Sequence, residues 1–170
     1  MGAFVSIYNY LGFRLSESPY NLGPAAIGSV FLLYAVGSAS SALAGNLADH
    51  FGRGKIMLGM IGTMGVGVLA TLNGQLTVII FGLALFTFGY FATHAIASGW
   101  VGFRAGERRG LVSALYLSSY YLGSSFLGST SGPLWTHYHW PGMVIGLMVC
   151  VGLVFIIGLY LTFYLTQREQ

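Results

Sequence analysis

The chain has 170 residues, of which 55% are hydrophobic and 6% are charged, and its formal net charge at pH 7 is +3. Soluble domains carry about 25% charged residues, so this composition excludes an ordinary soluble domain and predicts an integral membrane protein in a lipid bilayer. The few cations lie between apolar runs rather than along one face, so we expect no nucleic-acid partner.

Six apolar runs divide the chain, and each is a predicted membrane-spanning helix. A span needs about 20 apolar residues. The runs cover approximately 2–15, 24–44, 56–72, 76–103, 111–134 and 142–165. The first run would rise only about 21 Å as a helix, so it is predicted to be truncated or re-entrant. We therefore expect an all-α membrane protein that forms one six-helix unit over residues 1–170.

The first run contains a polar residue, Asn9, between Tyr8 and Tyr10. A polar side chain inside a span either lines a solute cavity or bonds to a neighbouring helix, and aromatic neighbours also occur at the membrane interface. Asn9 and Tyr8 are therefore candidates for the lining of a cavity, and helix packing is the alternative.

The second and third runs are joined by GNLADHFGRGK, Gly45–Lys55, which holds glycines, a carboxylate and two cations in one turn. Gly45 and Gly52 permit a sharp turn and a close approach of the helices. Asp49 lies four residues before Arg53, so it is placed to pair with Arg53 or to cap a neighbouring helix N-terminus. Such a contact could bias a conformational equilibrium. The alternative is a solvated turn whose cations set the orientation in the membrane.

The fourth and fifth runs contain further candidates. His94 is the titratable side chain predicted to lie well inside a span. Histidine changes charge near neutral pH, so His94 is a candidate for proton coupling, and a neutral histidine bonded to a backbone carbonyl is the alternative. The fifth run is rich in serine and glycine, which suits tight packing or a cavity wall. Its Tyr116 and Tyr120 share a helix face, with Ser124 near it, and either contact an aromatic or cationic solute or pack against neighbours.

The distribution of cations predicts the orientation. Arg14 lies alone on one side of the predicted spans. The other side holds Arg53, Lys55, Arg104, Arg108, Arg109 and Arg168. Positively charged loops stay in the cytoplasm, so loops 45–55 and 104–110 and the C-terminus are predicted to be cytoplasmic. Trp135, Tyr138 and Trp140 are predicted to form an aromatic collar at the opposite surface, around a turn closed by Pro141.

The turn between the second and third runs resembles the signature loop of the major facilitator superfamily, a G-x-L-A-D-x-x-G-R-x-K/R pattern within each six-helix half. The matching residues are Gly45, Leu47, Ala48, Asp49, Gly52, Arg53 and Lys55. The fourth run lacks the R-x-x-Q-G motif and the fifth lacks the glycine- and proline-rich antiporter pattern, both typical of the amino half of proton-coupled exporters. The chain is therefore similar to the carboxyl half, helices seven to twelve, of a bacterial branch related to sugar-efflux and drug-exporter permeases.

The resemblance implies transport by alternating access, in which two six-helix halves rock around a site at the membrane midplane. It implies efflux or proton-coupled antiport of a small-molecule solute across the bacterial inner membrane. It also implies an amino-terminal six-helix half as partner, and neither an enzyme activity nor a cofactor. In the family the loop aspartate contacts the other half and stabilises the outward-facing state, and Asp49 would take that role.

Other hypotheses stay open at this point. A non-functional truncated remnant, or a half-transporter that needs a partner, would have the same sequence. A rhomboid-type intramembrane protease also has about six spans, and Ser124, Ser125 and His94 supply its residue types without its motif. A channel is disfavoured because no filter sequence appears. The four histidines and the single Cys150 show no metal-ligand spacing, so we expect no metal site.

Overall fold

The computed structural model of the chain describes residues 1–166, with side chains described as far as Tyr164, and every regular element in that range is a helix. The helices are α1 Gly2–Ser16, α2 Pro24–Ser29, α3 Leu33–Phe51, α4 Arg53–Ala70, α5 Leu76–Arg104 and α6 Arg109–Thr166. Short 3-10 helices at Val30–Leu32 and Gly106–Arg108 join α2 to α3 and α5 to α6. The predicted all-α membrane class is confirmed. Arg168 and the C-terminal tail, which were predicted to be cytoplasmic, lie outside the described residues.

Three helical runs among the described residues are long and apolar enough to cross a membrane: Pro24–Phe51, Leu76–Arg104 and Gly106–Tyr164. The last has 59 residues, and two passes through a bilayer need about 40. It is broken at His139, whose φ of 52° and ψ of −151° are not helical. Helices α1 and α4 are shorter, with 15 and 18 residues. The division into six spans stays a prediction.

Residues 45–55, which were predicted to form the turn between the second and third runs, are mostly helical. Helix α3 continues to Phe51 and α4 begins at Arg53, so Gly52 alone lies between them. Its φ of 93° and ψ of 130° belong to a backbone region that only glycine adopts without strain. The apolar pattern marks the part of a helix in lipid, whereas backbone hydrogen bonding continues through the polar residues beyond it.

The turn predicted near Pro141 is likewise a break of one residue. Helix α6 is regular on both sides of His139, which divides it into a first arm, 109–138, and a second arm, 140–166. Pro141 is the second residue of the second arm, where a missing amide donor costs no helical hydrogen bond. Residues of both arms, such as Leu134 and Gly146, lie against each other, so the chain reverses direction at His139 without a loop.

Helix α5 packs against both α3 and α4, and its contact with α4 is unusually close because glycines lie on both helices. A Cβ atom on Gly89 would lie 2.5 Å from the carbonyl oxygen of Met60, and one on Gly82 would lie 2.8 Å from that of Gly67. Real Cβ atoms do not approach backbone so closely. The two helices therefore touch backbone to backbone, as small residues allow in membrane proteins.

Arg14 lies at the centre of a cluster that joins the end of α1 to two other parts of the fold. Its guanidinium donates hydrogen bonds to the carbonyl oxygens of Thr71 and Asn73, the latter at 3.1 Å. The guanidinium carbon also lies 4.7 Å from the centre of the Trp140 ring, whose indole nitrogen donates to the Thr71 hydroxyl at 3.0 Å. These four residues are called the Arg14 cluster below.

Trp140 differs from its predicted position in an aromatic collar. It is 5% exposed, because its ring packs under Arg14 and its nitrogen finds a hydrogen-bond acceptor at the end of α4. Tyr138, two residues earlier, is 66% exposed. The break at His139 turns the chain between them, so neighbouring aromatic residues face different surroundings.

Candidate functional site

The Gly52 end of the fold holds an ion pair between two helices. Asp49 Oδ1 accepts a hydrogen bond from an Arg53 guanidinium nitrogen at 3.4 Å, with side chains 66% and 33% exposed. The Arg53 guanidinium also lies 4.8 Å from the ring centre of Phe103, at the end of α5. An exposed pair of this length contributes at most about 1 kcal/mol. Asp49 is therefore accessible to a stronger partner.

Two other residues of the predicted gating loop, Gly45 and Lys55, are exposed. A Cβ atom on Gly45 would meet nothing within 4 Å, whereas one on the intervening Gly54 would lie 2.5 Å from Thr162 Cγ2. Gly54 thus lets α4 approach the second arm of α6. Sequence reasoning missed this contact, because a glycine inside a helix gives no sign of what it touches.

Three clefts follow one another beside α5 and the first arm of α6, and α1 lines the first two of them. The first cleft has a volume of about 300 Å³ and includes Tyr8 and Asn9 in its lining. The second, of about 320 Å³, shares Tyr90 and Tyr120 with the first. The third, of about 240 Å³, shares His94 and Tyr116 with the second. The shared residues make the clefts one continuous row.

Hydrogen bonds between side chains position the tyrosines of this row. The Tyr8 hydroxyl and Thr87 Oγ1 are 2.8 Å apart, and both residues are buried. The hydroxyls of Tyr90 and Tyr120 are hydrogen-bonded to each other across α5 and α6. These bonds fix the rings, because a buried tyrosine hydroxyl without a partner would be costly.

His94 lies among three tyrosine rings. Its ring centre is 4.6 Å from that of Tyr120, 5.7 Å from that of Tyr116 and 6.4 Å from that of Tyr90. Its Nδ1 is 2.9 Å from the Tyr116 hydroxyl, which donates to it when Nδ1 carries no proton. Surrounding ring faces also favour a cation at this position. The geometry therefore suits both charge states of the imidazole.

Helix α1 is held closely against the first arm of α6. The hydroxyls of Ser6 and Ser131 are 2.6 Å apart, and Ser131 donates to the carbonyl oxygen of Leu127 at 2.5 Å. A Cβ atom on Gly2 would lie 2.6 Å from the carbonyl oxygen of Gly123. Gly123 thus contacts α1 and also lines the second cleft.

The structure brings most of the predicted cavity residues together. Tyr8 and Asn9 line the first cleft, and His94, Tyr116 and Tyr120 line the second. Ser124 is half-buried and is not among the residues lining the three clefts. The residues of the predicted gating loop, 45–55, are not among those lining the three clefts.

Sequence reasoning missed Tyr90, which lines both the first and the second cleft. It precedes His94 by four residues in α5, a spacing that places the two side chains on one helix face. This spacing from His94 is the feature of the sequence that could have identified Tyr90 as a candidate. Among the described residues, no Asp, Glu, Lys or Arg side chain lines any of the three clefts.

Comparison with known proteins shows that the chain is similar to membrane transporters. A model of the Major Facilitator Superfamily matches residues 1–170. The MFS-type transporter YybF of Bacillus subtilis (strain 168) is 38% identical over 170 residues, which are 100% of this chain and 41% of that protein. The inner membrane transport protein YnfM of Escherichia coli (strain K12) is 44% identical over 156 residues, which are 91% of this chain and 37% of that protein.

A transporter of Buchnera aphidicola subsp. Baizongia pistaciae (strain Bp) is 38% identical over 161 residues, which are 94% of this chain and 40% of that protein. The chain thus spans between 37% and 41% of the length of these three relatives. No solved structure matches it.

Proposed function

Because this chain belongs to the major facilitator superfamily, we propose that it transports a small solute across a membrane by alternating access, as the carboxyl half of the transporter. The observation that carries the proposal is the continuous row of clefts beside α5 and the first arm of α6. Its lining is mainly apolar with a few placed polar groups, as in sites for small molecules.

The proposed partner is an amino-terminal six-helix half. The matched relatives are more than twice as long as the segment they share with this chain, and the clefts are open rather than enclosed by this half. Asp49, with its side chain 66% exposed, would contact the partner and stabilise the outward-facing state. The weak pair with Arg53 leaves the carboxylate accessible for that exchange.

The proposed transport is efflux with proton exchange, and His94 is the proposed proton-linked group. It lines both the second and the third cleft and bonds to Tyr116 through one ring nitrogen. If the solute and a proton compete for the site at His94, outward movement of the solute is coupled to inward movement of the proton. The rhomboid-type hypothesis gains no support, because the Nδ1 of His94 bonds to Tyr116 rather than to Ser124 or Ser125.

The proposed location is the bacterial inner membrane, with the Gly52 end in the cytoplasm. The E. coli relative is named as an inner membrane transport protein. Arg53 contacts Phe103 at the end of α5, so the two basic segments 53–55 and 104–109 lie at one end of the helices. Grouped cations of this kind remain on the cytoplasmic side.

Proton flux in liposomes tests the proposal. The chain would be reconstituted with the separately produced amino-terminal part of YnfM, and a pH-sensitive dye inside the vesicles would report proton movement after addition of organic cations, sugars or organic acids. We expect at least one solute class to move protons, and we expect His94→Gln to abolish that movement. The matched control His137→Gln, on an exposed histidine outside the clefts, should leave it unchanged.

The outcomes separate the parts of the proposal. Absence of flux with every solute class would argue against transport by this assembly. Flux that persists in His94→Gln would leave transport standing and reject His94 as the proton-linked group. Flux from the chain without the amino-terminal part would reject the need for a partner half.

A further inference from the structure

The second and third clefts meet at a pair of side chains. Among the described residues, their linings share only His94, on α5, and Tyr116, on the first arm of α6. The two rings stack with centres 5.7 Å apart and planes at 22°, and the Tyr116 hydroxyl lies 2.9 Å from His94 Nδ1. The boundary between the clefts is therefore a hydrogen-bonded pair of groups that can exchange protons.

The third cleft lies toward the end of the helices that is predicted to be cytoplasmic. Besides the pair, it is lined by Ser98, Val101, Ser113 and Leu117. Ser98 and Ser113 lie within about two turns of Arg104, where α5 ends, and of Arg109, where α6 begins. The Ser98 hydroxyl donates to the carbonyl oxygen of Ala95 at 3.1 Å, and its own oxygen retains acceptor capacity. Water that enters from this end thus reaches Tyr116 through a cleft that contains hydroxyl groups.

Tyr116 differs from the two other tyrosines around His94. The Tyr90 hydroxyl donates to Met1 Sδ at 3.0 Å, so in its hydrogen bond with Tyr120 it is the acceptor and Tyr120 is the donor. Both of these hydroxyl protons are therefore directed away from the imidazole. In the described part of the chain, the Tyr116 hydroxyl is the one that bonds to His94.

The bond between Tyr116 and His94 serves both charge states of the imidazole, because its donor can change. A neutral imidazole without a proton on Nδ1 accepts from the Tyr116 hydroxyl. A charged imidazole carries protons on both nitrogens and donates through Nδ1, so the Tyr116 oxygen becomes the acceptor. The hydroxyl proton of Tyr116 is then free to turn toward the third cleft.

The other titratable groups near His94 lie on the side of the second cleft. From α1, the ammonium of Met1 acts on His94 electrostatically, and from the second arm of α6, Cys150 lines the second cleft. Helix α4 contributes Met64, which does not titrate. None of these residues lines the third cleft. A proton that leaves His94 toward the predicted cytoplasmic end therefore meets Tyr116 first.

We propose that Tyr116 relays protons between His94 and the third cleft. The inference rests on the proposed transport function and deepens it, because it names the residue through which the exchanged proton leaves. On release, the Nδ1 proton of the charged imidazole passes to the Tyr116 oxygen, while the hydroxyl proton of Tyr116 passes to a water molecule from the cytoplasm. His94 ends neutral, Tyr116 ends as a neutral phenol, and the water molecule ends as hydronium.

Two transport modes of the reconstituted assembly test the proposal. The chain is combined in liposomes with the amino-terminal part of YnfM, and tetraethylammonium, glucose and citrate are the probes. Proton flux driven by a probe requires His94 to release its proton, whereas exchange of labelled for unlabelled probe at equal pH does not. We expect Tyr116→Phe to lower the proton flux about tenfold or more and to change the exchange less than about twofold.

Tyr121→Phe is the matched control, because it removes a hydroxyl from the same arm of α6. Tyr121 is 60% exposed and is not among the residues lining the three clefts, so both transport modes should stay unchanged. A merely structural role of Tyr116 would lower the two modes together. An equal loss of both modes in Tyr116→Phe, or an unchanged proton flux, would overturn the relay.

NMR of the purified chain in lipid nanodiscs, with isotope-labelled histidine nitrogens, tests the hydrogen bond itself. The signals of His94 are those lost in His94→Gln. We expect neutral His94 to carry its proton on Nε2 and to accept a hydrogen bond at Nδ1. Tyr116→Phe should move the Nδ1 signal toward that of an unbonded ring nitrogen. An Nδ1 signal that does not respond to Tyr116→Phe would show that the relay lacks its first contact.

Failure of the relay is distinguishable from failure of transport. Proton flux that survives Tyr116→Phe but is lost in His94→Gln would reject the relay alone. Flux that persists in His94→Gln would reject both the proton-linked role of His94 and the relay. Absence of flux and of exchange with every probe in the unchanged assembly would reject transport, and the relay with it.

Discussion

Two threonines on α5 provide a comparison of single hydroxyl groups. Thr87 is buried and bonds to Tyr8 at 2.8 Å, whereas Thr93 Oγ1 is buried without a hydrogen-bond partner. Replacement by valine removes the hydroxyl at nearly constant shape. We expect Thr87→Val to lower the free energy of unfolding by about 1 kcal/mol, because it leaves the Tyr8 hydroxyl unsatisfied. Thr93→Val should not lower it. Thermal unfolding of the purified chain in detergent measures both.

Equal destabilisation by the two substitutions would contradict this assignment of the hydroxyl groups. A loss in Thr93→Val alone would show that the Thr93 hydroxyl makes a stabilising contact. A double variant, Tyr8→Phe with Thr87→Val, serves as control. It removes both partners of the bond and should cost less than Thr87→Val alone.

For single residues, the sequence shows which polar side chains are unusual inside apolar runs, but not which side chains contact each other. His94 and Asn9 attract notice because polar side chains are rare inside apolar runs. Tyr90 is one of several aromatic residues in an aromatic-rich helix, so its contact with Tyr120 depends on how α5 and α6 are rotated against each other. A linear pattern contains no information on that rotation. Ser124 was selected by its residue type, and its position outside the lining of the three clefts likewise depends on that rotation.

At the scale of helices, the contact between α4 and α5 depends on glycine. A Cβ atom on Gly89 would lie 2.6 Å from the amide nitrogen of Met64, whereas one on Gly59 would meet nothing within 4 Å. We expect Gly89→Ala to lower the free energy of unfolding by about 1–3 kcal/mol, because the helices must separate. Gly59→Ala should leave it unchanged or raise it by up to about 1 kcal/mol, because alanine favours a helix. Size-exclusion chromatography after a heating series measures both.

A Gly89→Ala chain that withstands heating as well as Gly59→Ala would contradict the backbone contact between α4 and α5. Unequal expression of the two variants does not affect the comparison, since each is measured against its own unheated sample.

The ends of helices are harder to predict from the sequence than their positions. Apolar runs identify where a helix passes through lipid, but α3 extends through Asn46 and Asp49 to Phe51, beyond the apolar part. The predicted turn at 45–55 is therefore one residue, Gly52. The break at His139 had no local signal except the nearby Pro141, because histidine rarely adopts a positive φ.

At the scale of the whole molecule, α4 separates two ends that are predicted to face opposite sides of the membrane. Lys55 and Gln75 are exposed at these two ends. In a Cys150→Ser background, we expect a membrane-impermeant maleimide to label Lys55→Cys only from the cytoplasmic side and Gln75→Cys only from the outside. Labelling in spheroplasts and in inverted vesicles measures this. A reversed result would invert the proposed orientation, and labelling of both from one side would show that α4 does not cross.

The Arg14 cluster has a mechanical consequence for the whole half. It ties three parts of the chain together at one end, namely the end of α1, the α4–α5 connection and the start of the second arm of α6. At the other end the polar contact is the exposed Asp49–Arg53 ion pair, beside the contact of Arg53 with Phe103. The hydrogen bonds to Thr71 at the Arg14 end are partly or fully buried, so we expect that end to open less often. Amide hydrogen exchange should therefore be slower near Thr71 than near Phe51, and Arg14→Gln should reduce that difference.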